Sequence, residues 1–348
     1  KPTEDASRQL LLTSSQTLAK RFNTLSAQFN QQNSNINNNM ASIANQVNNL
    51  TKTIADLNEQ ISRISAAQGS PNDLLDHRDG ALRELSSLIG TEVVERDGNY
   101  DIFLKNGQAL VLGNSTQTLG VEPSANDPTR MNLVLNRGSV KMDITNSTTG
   151  GELGGLIRYR KETLDPAINE LGRVALVVSD AINRQLAQGI DKNGDFGATL
   201  FGDINSATAI SERSVAKLGN SVGSGNLNVT IKDTGKLTTS DYQVTFTSAN
   251  EYTVRRLPDN TEMGTFDITD TPPPMIDGFE LSLSGAGMAA GDSFKITPTR
   301  NAAANMESVL TDPKRLALAA PLTATSGAGN QGTGVITQPN LTSQMDIY

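Results

Sequence analysis

The 348 residues contain no cysteine, which excludes disulfides, thiol nucleophiles and cysteine-ligated zinc at the outset. Tryptophan is absent, and five Tyr with nine Phe leave little material for an aromatic-lined pocket or a base-stacking platform. A single histidine, His77, leaves little scope for imidazole catalysis. Basic charge is also short. Lys and Arg number 29 against 37 Asp and Glu, a net charge of −8, so no field for a phosphate backbone exists and nucleic acid is not an expected partner. No apolar run approaches the roughly 18 residues of a membrane span, and residues 1–30 lack the basic start and apolar run of a signal peptide, so no membrane association is expected. Lys1 reads as a start in mid-sequence, with the native N-terminus expected upstream.

What is present first is a long heptad. Leu11, Leu18, Phe22, Leu25, Phe29, Ile36, Met40, Ile43, Val47, Leu50, Ile54, Leu57, Ile61 and Ile64 recur at steps of seven, four or three, the spacing of a helix seam that faces one partner throughout. At 1.5 Å per residue such a helix reaches about 80 Å, a rod rather than a globule's helix. It runs through the Asn-rich stretch 30–49; Asn is a mediocre helix former, so packing must hold this part. Gly69, Ser70 and Pro71 stop the helix, and Asn72 or Asp73 can cap a second carrying Leu74, Leu75, Arg78, Leu82, Leu85 and Ile89, closed by Gly90. A third amphipathic segment carries Leu153, Leu156, Leu164, Ile168, Leu171, Val174, Val178, Ile182 and Leu186.

Two blocks of strands interrupt these helices. Residues 91–96, 100–105 and 108–112 alternate across Asp97-Gly98 and Asn106-Gly107, which supply the positive φ of tight hairpins, and 132–135 pairs with 139–144 across Asn136-Arg137-Gly138. After residue 214 the alternation returns at 227–231, 242–246, 252–254, 266–268, 279–283 and 294–296, the pattern of a sandwich or barrel. The expected architecture is therefore multidomain α plus β, an elongated antiparallel, coiled-coil-like helical bundle with inserted antiparallel β domains. Its parts are a discontinuous helical rod of 1–90 and 150–214, a small β domain at 91–149, an outer β domain at 215–300, and a short helix followed by a linker or extended arm at 301–348, with Met306, Val309, Leu310, Leu316 and Leu318 as the apolar residues of that helix.

Few motifs carry chemistry. Asp191, Asn193 and Asp195 copy the start of a calcium loop, but the sixth position is Phe196 and the twelfth is Gly202, so the metal reading competes with an Asx-capped turn. The Asp73, Asp76, His77, Arg78, Asp79 cluster radiates around a helix and reads as solvated surface. Residues 150–155, Gly-Gly-Glu-Leu-Gly-Gly, lack phosphate-loop spacing and its Lys, and read as a close turn into a helix. No catalytic constellation and no cofactor site emerges, and the chain is not expected to be an enzyme.

The run Asn72-Asp73-Leu74-Leu75-Asp76-His77-Arg78-Asp79, the run Gly151-Glu152-Leu153-Gly154-Gly155-Leu156 with Arg160, Leu164-Asp165-Pro166 and Leu171-Gly172, and the Asn106-Gly107-Gln108 hairpin together resemble the bacterial flagellar hook-associated protein 1 family, the hook–filament junction proteins. The resemblance spans about residues 1–205. His77 departs from the Gln common there, and Gly291-Asp292-Ser293-Phe294 to Arg300 looks like the family's variable outer domain. The resemblance implies a structural, secreted, extracellular subunit of the flagellum, delivered by type III export. Its implied partners are the hook protein, the second junction protein (hook-associated protein 3), copies of itself in a ring, and an export chaperone through a C-terminal region beyond Tyr348. It further implies that residues 11–64 pair with a helix beyond Tyr348, so that an apolar stripe stands open here or is covered by a second copy. A rival class, a trimeric coiled-coil surface adhesin or phage-tail-like fibre, shares the heptads, acidity and lack of cysteine.

Overall fold

The computed structural model describes residues 4–67, 69–322, 329, 331–334 and 337. One continuous helix, α1 (Asp5–Ala66), opens the chain. Its seam is formed by the buried positions Arg8, Leu12, Ser15, Ala19, Phe22, Ser26, Asn33, Ile36, Met40, Ile43, Val47, Thr51, Ile54, Asn58 and Ile61, with Ala44, Ala55 and Leu57 buried beside it. The steps alternate three and four, with a single seven from Ser26 to Asn33 and a double four across Ile43, Val47 and Thr51. That extra four is the insertion that locally unwinds a left-handed supercoil. The seam is thus real and partly polar.

The second helix, α2 (Asn72–Leu88), starts after Pro71 with no side-chain cap, contrary to the expected Asn72 or Asp73 cap; Asn72 is already helical and accepts from the Ser70 hydroxyl at 3.2 Å. Gly90 does more than end it. A Cβ there would lie 2.9 Å from Gly150 Cα, so the glycine pair lets two backbones touch. Between them lie two small antiparallel sheets. The first is a meander of β1 (Thr91–Arg96), β2 (Asn99–Leu104), β3 (Ala109–Leu112) and β4 (Ser115–Thr116). The second joins β5 (Thr118–Ser124), β6 (Asp127–Arg137) and β7 (Val140–Asp143) in that order. Asp97 and Gly98 both adopt positive φ, 51° and 77°, as the hairpin requires.

The third amphipathic segment is α3 (Gly151–Tyr159), a π turn at Arg160–Leu164, and α4 (Asp165–Ala187). Pro166 accounts for the break, because it has no N–H for the carbonyl of residue 162, and the Asp165 amide bonds instead to Arg160 O five residues back. Beyond it come α5 (Ala207–Glu212), β8 (Ser214–Ala216), β9 (Asn226–Ile231), β10 (Asp241–Phe246), β11 (Glu251–Leu257), β12 (Thr261–Asp267), β13 (Phe279–Ser284) and β14 (Ser293–Ile296). A five-stranded sheet ordered β12-β11-β10-β14-β8 and the pair β13-β9 enclose one core that includes Leu227, Val229, Tyr242, Val244, Phe246, Tyr252, Phe279, Leu281 and Phe294. The ring pairs Tyr242–Phe279 and Phe246–Phe294 meet edge to face at 5.0 and 6.0 Å.

The expected short helix after residue 300 does not form. Residues 301–305 make turns, Phe201 and Ser308 form an isolated bridge, and Pro313–Arg315 is a single 3₁₀ turn, because Pro313 cannot continue a helix and Asn23 holds three of the preceding carbonyls. The expected linker or arm lies mostly outside the described residues. Two compact units divide the chain, one of residues 1–28, 168–216 and 220–348 and the other of 29–167 and 217–219, so both the first helix and the α3–α4 run contribute to each. This differs from a division into a helical part and β parts, because the helical seam has different partners along its length.

In α4 a Cβ on Gly172 would stand 1.8 Å from Thr299 O, whereas nothing lies within 4 Å of one on Gly155 in α3. Gly172→Ala should therefore destabilise by about 1–3 kcal/mol, and Gly155→Ala should stabilise by up to about 1 kcal/mol through helix propensity, both read from denaturant midpoints.

Candidate functional site

The polar members of the α1 seam are what the rest of its unit is built on. An amide side chain carries a donor and an acceptor side by side, so it can satisfy the N–H and C=O of a strand residue as a neighbouring strand would. Asn48 does this to Leu119 at the start of β5: Asn48 Nδ2 donates to Leu119 O at 2.9 Å, and Leu119 N donates to Asn48 Oδ1 at 2.7 Å. Asn58 pairs in the same two-way manner with Tyr100 of β2, at 2.9 and 3.1 Å, and also donates to Gly113 O at 2.8 Å. Asn37 donates to Thr129 O and accepts from Met131 N, both at 3.2 Å, and Asn33 adds a bond to Thr129 O at 2.9 Å. The other unit repeats the device. Asn23 donates to the carbonyls of Ala303, Ala304 and Met306, and Asn183, Asn205 and Asn220 each pair two-way with backbone at Phe201, Ile231 and Ser293.

Three buried arginines complete the arrangement around residues 29–167. Arg78, 1 % exposed, donates through Nη1 to Asn58 Oδ1 at 3.0 Å and Gly98 O at 2.7 Å, and its guanidinium lies 3.6 Å from the Tyr100 ring centroid. Tyr100 in turn donates to Asp79 Oδ1 at 3.1 Å, and burial together with that carboxylate pushes its phenol up. Within the cluster read as solvated surface, Asp73, Asp76 and His77 are exposed, but Arg78 is buried and Asp79 half-buried, a correction to that reading. Arg160 donates to Met131 O at 2.9 Å and Asn37 Oδ1 at 3.2 Å, and burial lowers its pKa against the opposing pull of Asp165. Arg130 grips Asp165 through Nε at 3.1 Å and Nη2 at 2.6 Å.

Of these residues, Arg78, Asp79, Arg160 and Asp165 belong to the recognisable runs. A model of the flagellar hook-associated protein FlgK helical domain matches residues 1–201, and one of the flagellar hook-associated protein 1 D2-like domain matches 215–298. The chain belongs to the flagellar hook-associated protein 1 family. It is 33 % identical over 286 residues to the family member of Escherichia coli K12, covering 80 % of this chain and 50 % of that protein. It is 34 % identical over 269 residues to the member of Salmonella typhimurium, covering 75 % of this chain and 47 % of that one. It thus spans about half the length of the curated relatives it matches. Among solved structures, the flagellar hook junction protein FlgK of Burkholderia pseudomallei superposes with a TM-score of 0.84 at 37 % identity, over 96 % of this chain and 60 % of that one.

Within this family fold the apolar seam residues lie as follows. Phe22, Ile36, Met40, Ile43, Val47, Ile54, Leu57 and Ile61 are buried, Leu18, Phe29 and Leu50 half-buried, and Leu11, Leu25 and Ile64 exposed. The continuous open stripe expected on α1 is therefore absent from residues 29–61, where this chain's own seam is covered. The openings are local: Leu10 at 68 %, Leu11 at 40 % and Leu25 at 45 % on α1, and Val174 at 38 % on α4. Half-buried Leu18, Leu171, Val178 and Ile182 pack against one cluster with Leu12, Ala19, Phe22 and Ala175.

Asp191 behaves as a turn residue. Its Oδ1 accepts from the Asn193 and Asp195 amides at 2.7 and 3.0 Å; burial would raise its pKa, but those bonds hold it below the usual carboxylate range. Asn193 donates to Asp191 Oδ2 at 3.4 Å, so the three calcium-like residues face one another's donors. Among the described residues no group of three His, Asp or Glu is placed to hold a metal ion, and no helix is long and apolar enough to cross a membrane.

Sequence reasoning also passed over Asp292 as an anchor. It is 1 % exposed and accepts from Ser221 N at 2.7 Å, Ala289 N at 2.8 Å and the Ser224 hydroxyl. Burial pushes its carboxyl up, yet these donors prevail and hold it at about 2. A pKa depressed from its unfolded value of 3.8 contributes stability that is complete above that value and fades as pH falls through about 2. The native chain should therefore lose stability more steeply between pH 4 and pH 2 than Asp292→Asn, which should itself cost about 2 kcal/mol at pH 7. Chemical denaturation across that pH range reads both.

At neutral pH, Asn58→Ala should cost about 2–4 kcal/mol, since it removes one acceptor from the buried Arg78 guanidinium and leaves the Tyr100 and Gly113 backbone groups it bonds unpaired. Gln31→Ala, on the exposed face of the same helix, should change stability by less than about 0.5 kcal/mol by the same assay.

Proposed function

We propose that this chain is the central portion of a structural subunit at the junction between the flagellar hook and filament, acting by subunit packing and not by catalysis. The observation that carries the reading is the agreement in fold and sequence with the hook junction protein of Burkholderia pseudomallei over nearly the whole chain. The chemistry of the molecule supports it. Among the described residues, the buried Asn and Arg side chains named above hold backbone, and they present no nucleophile, base and acid around a common point.

In this reading the partners are the hook protein on one side, hook-associated protein 3 on the other, and copies of the same subunit in a closed ring, whose stability comes from many shallow contacts. The chain acts outside the cell, after type III export aided by a chaperone that binds sequence beyond Tyr348. The exposed apolar residues Leu10, Leu11, Leu25 and Val174 are where a terminal helix of the full subunit, or a neighbour, adds cover. The fibre alternative requires a free seam for parallel self-association, and burial of Ile36, Met40, Ile43 and Val47 within one chain weighs against it.

Light scattering over a concentration series should give a monomer for the purified chain, and a stable trimer at low concentration would favour the fibre. In a motile strain dependent on the full-length protein, Leu11→Asp with Leu25→Asp should abolish filament attachment seen by electron microscopy while leaving the melting temperature of the purified chain within a few degrees. Normal filaments would remove these residues from the interface.

A further inference from the structure

Two strands of the unit formed by residues 29–167 and 217–219 lie at sheet edges: β1 is the first strand of the order β1-β2-β3-β4, and β7 is the last of β5-β6-β7. Both are open on their two faces. Every residue of β1 after Thr91 is exposed, and so is every residue of β7. Val93, Val94, Val140 and Met142 are among the exposed large apolar residues, so each edge joins open backbone to apolar side chains, the combination that templates the addition of another strand. In an antiparallel ladder, hydrogen-bonded pairs alternate with pairs whose N–H and C=O point away. The two-residue loops Asp97-Gly98 and Gly138-Ser139 close on the hydrogen-bonded pairs Arg96–Asn99 and Arg137–Val140. Counting from these, the groups turned to the open edge are those of Val93 and Glu95 on β1 and of Lys141 and Asp143 on β7. The Ile144 N–H, which donates inward to Leu133 O at 2.9 Å, agrees with that phase.

We propose that β1 of one copy pairs antiparallel with β7 of the next, with Glu95 opposite Lys141 and Val93 opposite Asp143 as the hydrogen-bonded pairs and Val94 opposite Met142 between them. Charge selects the register. Only residues whose groups point outward can face each other as hydrogen-bonded pairs, so the strands shift by two residues at a time. A shift one way sets Glu95 against Asp143, and a shift the other way sets Val93 against Lys141, so the proposed register alone brings unlike charges together. Among the described residues Glu95 has no ion pair; Lys141 reaches Glu122 of its own sheet yet stays largely exposed, and an ammonium has donors to spare. The contact is head to tail and therefore repeats from copy to copy. Each edge can also meet itself, Glu92 with Arg96 or Lys141 with Asp143, but a two-fold contact stops at two copies. The choice between them rests on the ring reading above, which needs unlike surfaces. With β7 only four residues long, the interface is far smaller than a stable one, so the free chain stays a monomer and the pairing counts between neighbours held side by side.

The chain has no cysteine, so an introduced disulfide reports the register without background. Facing residues of a non-hydrogen-bonded pair lie within disulfide reach. Val94 and Met142 are both exposed, so replacing them should leave the fold intact, as circular dichroism verifies. Purified Val94→Cys and Met142→Cys chains, mixed in equal amounts and oxidised in a glutathione buffer, should give the mixed dimer in at least about tenfold excess over each like dimer by intact mass, against the roughly twofold of random pairing. Val93→Cys, whose side chain lies on the opposite face, should give random pairing with Met142→Cys. Adding Glu95→Lys to the first chain should return the ratio to random, and adding Lys141→Glu to the second should restore the excess. Random pairing of Val94→Cys with Met142→Cys, or an excess untouched by Glu95→Lys, would overturn the inference, and an excess of either like dimer would replace it with the two-fold contact. Those outcomes would leave the assembly reading standing, which fails on the filament experiment instead.

Discussion

The structure depends on the two-way hydrogen bond between an asparagine side chain and a single strand residue. Helices and strands cannot pair backbone to backbone, because a helix has already used its own N–H and C=O groups. Where a strand or loop lies against a helix, its inward groups need another partner or they are buried unmet. Asn37, Asn48 and Asn58 supply that partner along one helix, to Met131 and Thr129, to Leu119 and to Tyr100. The cost in helix propensity, a few tenths of a kcal/mol per Asn relative to the best formers, is small beside two satisfied backbone groups.

The buried arginines extend the same principle. Arg78 and Arg160 bind the acceptor oxygens of Asn58 and Asn37, which fixes the orientation of each amide and so the sense in which it can meet the strand. Arg78 Nη1 also donates to Gly98 O and Arg160 Nη2 to Met131 O, so each arginine ties a helix amide to backbone. Such a network is costly to satisfy in part, which gives it the power to specify one register of strand against helix. In the proposed packing role, a uniquely specified surface matters more than a deep pocket.

Much of the fold was legible in the sequence where the physics is local. The Asp97-Gly98 hairpin and the alternation at Leu227, Val229 and Ile231 follow from positive φ and the two-residue period. The strand β5 was missed because Gly120 and Pro123 interrupt its pattern, and β8 because three residues carry no period. A search for apolar repeats found Ile36 to Val47 but stepped past Ser15, Asn33, Thr51 and Asn58, which occupy the same seam. Arg78 was misread for a related reason: a charge on a helix suggests solvent until the carbonyl and amide that receive it are known. The spurious helix after residue 300 shows the limit of periodicity, since the carbonyls there answer to Asn23, almost three hundred residues earlier in the chain. The Asp292 anchor likewise arises from separate segments brought together.

The central claim is that asparagine amides, and not apolar contact alone, hold the β segments on the long helix. Native-state hydrogen exchange in Asn48→Ala tests it most directly, read at Leu119 and its neighbours in β5 and compared with Val244 in the five-stranded sheet of the other unit. The account predicts that exchange at Leu119 rises at least tenfold, the equivalent of about 1.4 kcal/mol, while Val244 is unchanged. Full protection of Leu119 in that variant, at unaltered global stability, would contradict it.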